Sequence, residues 1–333
     1  MADITVELSD LRGWAGQVER GSGAMEAAHG YAASNIADAD FGRILELITG
    51  DYAALITAFH TVLQADATGL GRASTALGSS ADTYQAEDER SRERFTTIGG
   101  QTADITDDGV ATGFDDGASA TGKLTPPTDG GATLPEVSFG WILDKVCELV
   151  VWVGGPDPRE YVTKWIAGDV AKASKQVSAW EHVADCVEVV DANLDAGRGA
   201  IVRTWTGDAS AASASHMDKW STCFTDQSTA MRQVAAHLRD AIQQAVNMAQ
   251  VVVDIIKTVI SLVSAALSNA AIPAYGQWKL IKTVKEAITM INSARKVIMV
   301  FWNALNMVKA LFVAAVSTFS AESLPPAPAA VPA

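Results

Sequence analysis

Cysteine is scarce in this chain, with only Cys147, Cys186 and Cys223 in 333 residues. No two cysteines have CxxC spacing and no histidine lies at metal-ligand spacing from them, which argues against a zinc site. Cys186 and Cys223 lie at similar distances on either side of Trp205, so a disulfide is one expectation for a hairpin that turns at Trp205 in an oxidising compartment. The alternative is two small buried residues.

Basic residues are also few. Lys and Arg number 25 against 39 Asp and Glu, which gives a formal net charge of −14. A chain this acidic, without a basic stripe in its sequence, is not suited to bind nucleic acid. The net charge also argues against electrostatic docking on anionic lipid. These features favour contacts with other proteins.

The sequence lacks the usual signs of an enzyme. Its five histidines are scattered over predicted helices, and there is no Gly-rich phosphate loop, nucleophile elbow or paired-carboxylate cleft. We therefore expect no catalysis, no cofactor and no metal. The first ten residues, MADITVELSD, lack the basic and apolar regions of a Sec signal peptide. Export of this protein would therefore need another route.

Long apolar heptads are what the sequence does contain. They run from Ile166 to Leu194 before Trp205-Thr206-Gly207 and from Phe224 to Ala266 after it. A parallel column runs from Trp220 to Leu262, with Gln227 as its one polar member. Two helices with facing apolar seams and a short connection form an antiparallel hairpin. The glycine allows a tight turn, and the tryptophan offers an apolar surface to the groove between helices.

The pattern of residues 1–95 predicts another hairpin. Residues 3–36 form its first helix, and residues 43–92 form its second, with apolar residues seven apart from Ile56 to Tyr84. Between them, Phe41-Gly42 takes the place that Trp205-Thr206-Gly207 takes in the later hairpin. The predicted fold is therefore all-α, with two long hairpins paired as in a four-helix bundle.

The remaining segments differ in composition. Residues 96–136 are rich in Gly, Thr, Asp and Pro, and their low hydrophobicity predicts a flexible, disordered acidic linker. Residues 137–270 place a short apolar helix before the second hairpin, whose second helix is too long for its first to cover. Residues 271–320 are expected to form C-terminal apolar helices, with an interruption near Asn292-Ser293. These helices would pack on the part of the long second helix that the first does not cover. Residues 321–333 predict a disordered Pro/Ala tail.

The apolar C-terminal half also permits a membrane interpretation. The run without charge from Thr258 to Trp278 is interrupted by Asn269, Pro273 and Gln277, so it is a poor membrane span. Burial of helix on helix is the favoured interpretation. Entry of residues 245–320 into a membrane is the alternative.

Two motifs occupy the turn of one hairpin and the end of the other. One is Trp205-Thr206-Gly207; the other is Tyr84-Gln85-Ala86-Glu87-Asp88, the only Tyr-x-x-x-Asp/Glu in the chain. Together they resemble the signals of the WXG (Trp-X-Gly) superfamily, the substrates of ESX-type type VII secretion in actinobacteria and their relatives. The first hairpin resembles the EspC-like, ESX-secretion-associated branch, which often has a Phe-Gly turn.

The resemblance implies a function. Members of the superfamily are helical hairpins that dimerise, and their export signal combines a Trp-x-Gly turn with the Tyr-x-x-x-Asp/Glu of the partner. It assigns signal roles to Trp205, Gly207, Tyr84 and Asp88, and a secretion ATPase as partner. The protein would be cytoplasmic before export and secreted or on the cell surface afterwards. The hairpins would pair within the chain, or the first would bind a separate WXG partner. Delivery of a separate toxin is a further alternative.

Overall fold

A computed structural model describes residues 5–98, 109–131, 133–135, 151, 168–268 and 275–328. The all-α class is confirmed, and in the described residues the one β feature is an isolated bridge between Val6 and Trp205. The α-helices are α1 (Leu8–Asn35), α2 (Glu46–Thr97), α3 (Val170–Ile201), α4 (Asp208–Ser268) and α5 (Tyr275–Thr318). Short 3-10 turns cover Arg43–Leu45, Thr121–Lys123 and Ala321–Ser323.

The helices form a closed ring around one core. Helices α1 and α2 form the first hairpin, α3 and α4 form the second, and α1 lies against α3. Helix α5 packs on both α4 and α2. The predicted fold of two paired hairpins with an added C-terminal helical region is therefore confirmed, and α5 inserts between α2 and α4 over part of their length. It does so because α5 has its own apolar seam, buried at threes and fours from Val284 to Phe312.

Aromatic side chains join this fifth helix to both hairpins. The ring of Phe312 lies 5.2 Å from that of Tyr52 on α2. Phe319, just beyond α5, lies 5.3 Å from Phe59 and 5.9 Å from Trp180 on α3. Large rings that meet across three helices bury much apolar area each. The C-terminal helix is thus part of the main core and not an appendage to the second hairpin.

Beyond this core, α4 and α5 continue as a two-helix extension. It has a small core of its own, formed by Val259, Val263, Ala287 and Ile291. The predicted interruption near Asn292-Ser293 is wrong, because α5 is continuous there. Both residues are exposed, and the Ser293 hydroxyl donates to the Thr289 carbonyl at 3.1 Å, which an α-helix accommodates.

The prediction of a flexible linker is wrong for residues 109–131, which we call the strap. The strap crosses α1 and α3, with Phe114 buried between them. The side chain of Asn193 accepts from the Gly117 amide at 3.0 Å and donates to the Ala118 carbonyl at 3.0 Å. A few anchors of this kind fix the strap although its average hydrophobicity is low.

The predicted disordered tail is also wrong for residues 321–328. The 3-10 turn at Ala321–Ser323 leads to Leu324, which packs on the core. The Pro residues that follow line an open groove of about 490 Å³ beside Trp220 and Arg72. Residues 329–333 lie outside the described residues, and so does the predicted short helix before the second hairpin, apart from Val151.

Candidate functional site

Both hairpin turns depend on glycine. Gly42 has φ 79° and Gly207 has φ 102°, in the left-handed region where a Cβ is strained. The Phe41-Gly42 turn lies between α1 and α2, and the Trp205-Thr206-Gly207 turn lies between α3 and α4. The backbone conformation predicted to need glycine at Gly207 is therefore observed, and Gly42 has the same role in the first turn.

The structure brings Trp205 and Tyr84 together. The indole Nε1 donates to the Tyr84 hydroxyl at 3.4 Å, and the two rings meet edge to face with centroids 6.4 Å apart. On its other side the indole meets Trp14 of α1, edge to face at 6.3 Å. Trp205 is 1% exposed, whereas Tyr84 is half-buried. The two motifs, on different hairpins, therefore form one contiguous site within a single chain.

The backbone of the turn is held as firmly as its side chain. The Thr206 amide donates to the Thr5 carbonyl at 2.9 Å, and the Glu7 amide donates to the Thr204 carbonyl at 3.1 Å. These bonds flank the antiparallel bridge between Val6 and Trp205. The segment before α1 thus fixes the Trp-x-Gly turn against the first hairpin.

The other turn is docked in the same manner on the second hairpin. The amide of Asp169, which precedes α3, donates to the Phe41 carbonyl at 2.9 Å. A Cβ on Gly168 would lie 2.7 Å from that same carbonyl oxygen, so the two chains approach closely. Lys172 adds an ion pair with Asp38. Each turn therefore rests on the segment before the first helix of the opposite hairpin, and the pairing is reciprocal.

Polar residues next to Tyr84 link the two helices of the first hairpin. Arg12 donates to Gln85 Oε1 at 2.5 Å and to Asp82 Oδ1 at 3.2 Å, which ties α1 to α2 beside Tyr84. Asp88 lies exposed one turn beyond Tyr84 and pairs with Arg92 at 2.9 Å. The sequence carries no mark for Arg12, because its partners are 70 and 73 residues away.

Further along, a buried polar network joins the two hairpins. The Tyr52 hydroxyl donates to Gln176 Oε1 at 2.7 Å and accepts from Trp180 Nε1 at 2.8 Å. Gln176 Nε2 in turn donates to the Asp38 carbonyl at 2.6 Å. Burial raises the pKa of Tyr52 well above its ordinary value. The tyrosine therefore stays neutral and serves the interface as donor and acceptor.

The predicted disulfide between Cys186 and Cys223 is not formed, and both residues are free thiols. Cys186 is buried, and burial raises the pKa of its thiol to about 12, which keeps it protonated. The Cys223 thiol is half-buried and donates to the Ser323 carbonyl at 3.4 Å. Equal height on two helices does not make two side chains point at each other, and here Cys223 faces the C-terminal segment.

Metal binding and membrane crossing are two other possible roles for the described residues. Within the described ranges, no group of three or more His, Cys, Asp or Glu side chains could hold a metal ion. Asp208–Ala266 and Ile281–Thr318 are long and apolar enough to cross a membrane by length and composition, a test that core helices of soluble proteins also pass.

Comparison with known proteins adds no relative. No protein-family model matches the chain, and no curated protein or solved structure matches it either. Inference of function rests on the two motifs and on the contact between them.

Proposed function

We propose that this chain is a non-enzymatic protein exported by an ESX-type type VII secretion system, and that it acts through helix–helix association. In this proposal its two hairpins pair with each other and supply both halves of the export signal. The secretion ATPase is the partner before export. The protein is cytoplasmic at first and reaches the cell surface or the medium without a Sec signal.

The observation that supports the proposal is the bond from Trp205 Nε1 to the Tyr84 hydroxyl. In the superfamily that the motifs resemble, the turn and the tyrosine come from different subunits. Here the reciprocal docking of the two turns places them side by side within one chain. A covalent connection raises the effective concentration of one hairpin for the other, so weak pairing suffices to assemble the site.

Because Trp205 is buried, it and the other signal residues have different roles. A side chain that is 1% exposed offers little surface to a receptor. Trp205 therefore acts as the packing centre that holds the turn against α2. The groups that a receptor would contact are the half-buried ring of Tyr84 and the exposed carboxylate of Asp88.

The test is secretion of Tyr84→Ala from a host with this secretion system, with and without its ATPase. Tyr31→Ala is the matched control, because Tyr31 is also half-buried between the hairpins and bonds the Thr125 carbonyl at 2.7 Å. We expect Tyr84→Ala to remain helical and stay in the cytosol, while Tyr31→Ala is exported. Export of both variants, or export without the ATPase, would contradict the proposal.

Trp205→Ala alone is a poor test, because removing a buried Trp costs about 3–5 kcal/mol. Asp88→Ala is a sharper companion variant, since Asp88 is exposed and its ion pair with Arg92 contributes little to stability. We expect lost export with an unchanged melting temperature. Normal export of Asp88→Ala would remove this carboxylate from the signal.

A further inference from the structure

Exposed apolar side chains are concentrated on one helix. Of the thirteen large apolar residues that are exposed in the described part of the chain, six lie on α5. Met307 is 70% exposed and Val300 is 69% exposed. Single exposed apolar residues are ordinary, but a contiguous group on one surface marks an interaction site.

Positive charge is concentrated in the same region. Residues 255–320 contain seven Lys or Arg and one Glu, whereas the whole chain has a net charge of −14. The C-terminal region is therefore basic although the chain as a whole is acidic. Net charge therefore does not oppose contact between this part of the surface and anionic lipid.

The exposed residues of α5 form one stripe opposite its buried seam. Spacings of three and four residues place Lys285, Lys296, Met299, Val300, Met307 and Leu311 on the same side of the helix. The side chains on this stripe are basic or polar in the first half and predominantly apolar from Met299 onward. Its one basic neighbour in the apolar half, Lys309, points away and pairs with Asp51 of α2 at 3.2 Å.

We propose that this α5 stripe docks the folded protein on the surface of an anionic lipid membrane. A bilayer interface offers phosphates to Lys285 and Lys296, and an acyl boundary to Met299, Val300, Met307 and Leu311. The helix lies in the plane of the interface, with its other side still buried in the bundle. The acidic remainder of the protein is repelled by the lipid, which orients the stripe toward it.

A second copy of the chain fits the stripe less well than lipid does. In a parallel two-fold pair, Lys296 would oppose its own copy. In an antiparallel pair aligned over the whole stripe, the basic half would cover the apolar half, which buries charge against Met and Leu. Membrane spanning is also a poorer fit, because it would expose the buried seam of α5 and draw Arg295, Lys296 and Lys309 toward hydrocarbon.

The test is flotation of the full chain with vesicles of phosphatidylcholine, with and without phosphatidylglycerol. We expect binding to the anionic vesicles only, with release by high salt. Lys285→Glu and Lys296→Glu each weaken binding by about fivefold or more, and Met307→Asp by about tenfold or more. Ile98→Asp is the matched control, because Ile98 is 80% exposed at the end of α2 and lies off the stripe.

Each outcome is decisive. Binding that follows the three stripe variants and ignores Ile98→Asp supports the proposal. No binding to either vesicle overturns it, and so does binding that the stripe variants leave unchanged. Retention on the vesicles at high salt would indicate insertion instead of surface docking. Concentration-dependent dimers that Met307→Asp abolishes, without lipid binding, would assign the stripe to a second copy.

Discussion

Gln227 Nε2 on α4 donates a hydrogen bond to Asp66 Oδ1 on α2 at 3.2 Å, in an interface that buries both side chains completely. The remaining polar atom of each group, Asp66 Oδ2 and Gln227 Oε1, has no hydrogen-bond partner. A proton on Oδ2 would give both atoms a partner, because the carboxyl can then donate a hydrogen bond to the amide oxygen. Burial raises the pKa of Asp66 to about 7, against the opposing effect of the Gln227 hydrogen bond.

Because of this pair, we expect the free energy of unfolding to fall as the pH rises. The pKa of Asp66 is raised in the folded state from 3.8 to about 7, so the folded protein holds an extra proton between these values. The stabilisation is complete below the unfolded pKa and is lost as the pH rises through about 7. The loss amounts to roughly 4 kcal/mol. Urea unfolding over this pH range measures it.

Asp66→Asn separates this effect from other titrations. An asparagine amide can donate to Gln227 Oε1 and accept from Nε2, as the protonated acid does, so the variant should unfold with a flatter pH profile. Asp88→Asn, an exposed change on the same helix, should keep the slope of the parent protein. Equal slopes for the parent and for Asp66→Asn would contradict the assignment.

The heptad pattern of the sequence identifies Gln227 and Asp66 as polar residues at apolar positions. Gln227 is the polar member of an apolar column on α4, and Asp66 falls in the column of Phe59 and Ala73 on α2. Periodicity thus identifies two polar residues at seam positions. It does not show that they meet, because α2 and α4 belong to different hairpins and local spacing carries no information on how hairpins pair. Local spacing does not predict the contact between Tyr84 and Trp205 either; the family resemblance offered it, as one of two alternatives.

Gly69 on α2 makes room for Trp220 on α4. A Cβ at Gly69 would lie 2.5 Å from Cζ2 and 2.6 Å from Cη2 of the indole, so the ring or the helix must move. We expect Gly69→Ala to destabilise the protein by about 1–3 kcal/mol despite the better helix propensity of alanine. At Gly78 on the same helix nothing lies within 4 Å, so Gly78→Ala should stabilise by up to about 1 kcal/mol. Thermal unfolding that shows one sign for both substitutions would refute this explanation.

Asn193 on α3 holds the strap through the Gly117 amide and the Ala118 carbonyl. Asn193→Ala removes both bonds while α3 keeps its helical backbone. At about 1 kcal/mol for each bond, we expect roughly thirtyfold faster amide exchange and proteolysis within residues 109–131. Asn247→Ala, on an exposed face of α4, should leave the strap protected. A strap that exchanges freely in the parent protein would contradict this anchoring role of Asn193.

The strap also shows where prediction of the fold from sequence reached its limit. The heptads predict the four long helices of the two hairpins, because burial repeats along each of them, whereas the fifth helix was expected to be interrupted. They could not give the strap, whose order depends on the burial of Phe114 and on side chains far away in sequence. Gly13 on α1 would ordinarily count only as a weak helix residue. A Cβ there would lie 2.5 Å from Ala111 Cβ, so the glycine is what lets the strap approach α1.

Tyr52 is predicted to stabilise the pairing of the two hairpins through its hydroxyl. Tyr52→Phe keeps the ring beside Phe312 but leaves Gln176 Oε1 and Trp180 Nε1 buried without the partner that both now share. A buried polar group without a partner costs about 1–3 kcal/mol, so the variant should unfold at clearly lower denaturant concentration. Gln176→Leu should be destabilising too, since the hydroxyl of Tyr52 loses its acceptor and the carbonyl of Asp38 loses its donor.

A double-mutant cycle decides whether these losses come from one contact. When both partners become apolar, the Tyr52–Gln176 bond cannot be broken twice, so Tyr52→Phe with Gln176→Leu should cost less than the two single changes added together. We expect a coupling of about 0.5–3 kcal/mol. As a distant reference, Tyr52→Phe combined with Asn193→Ala should be additive within about 0.5 kcal/mol. Additivity in both cycles would mean that the network contributes nothing specific to the interface.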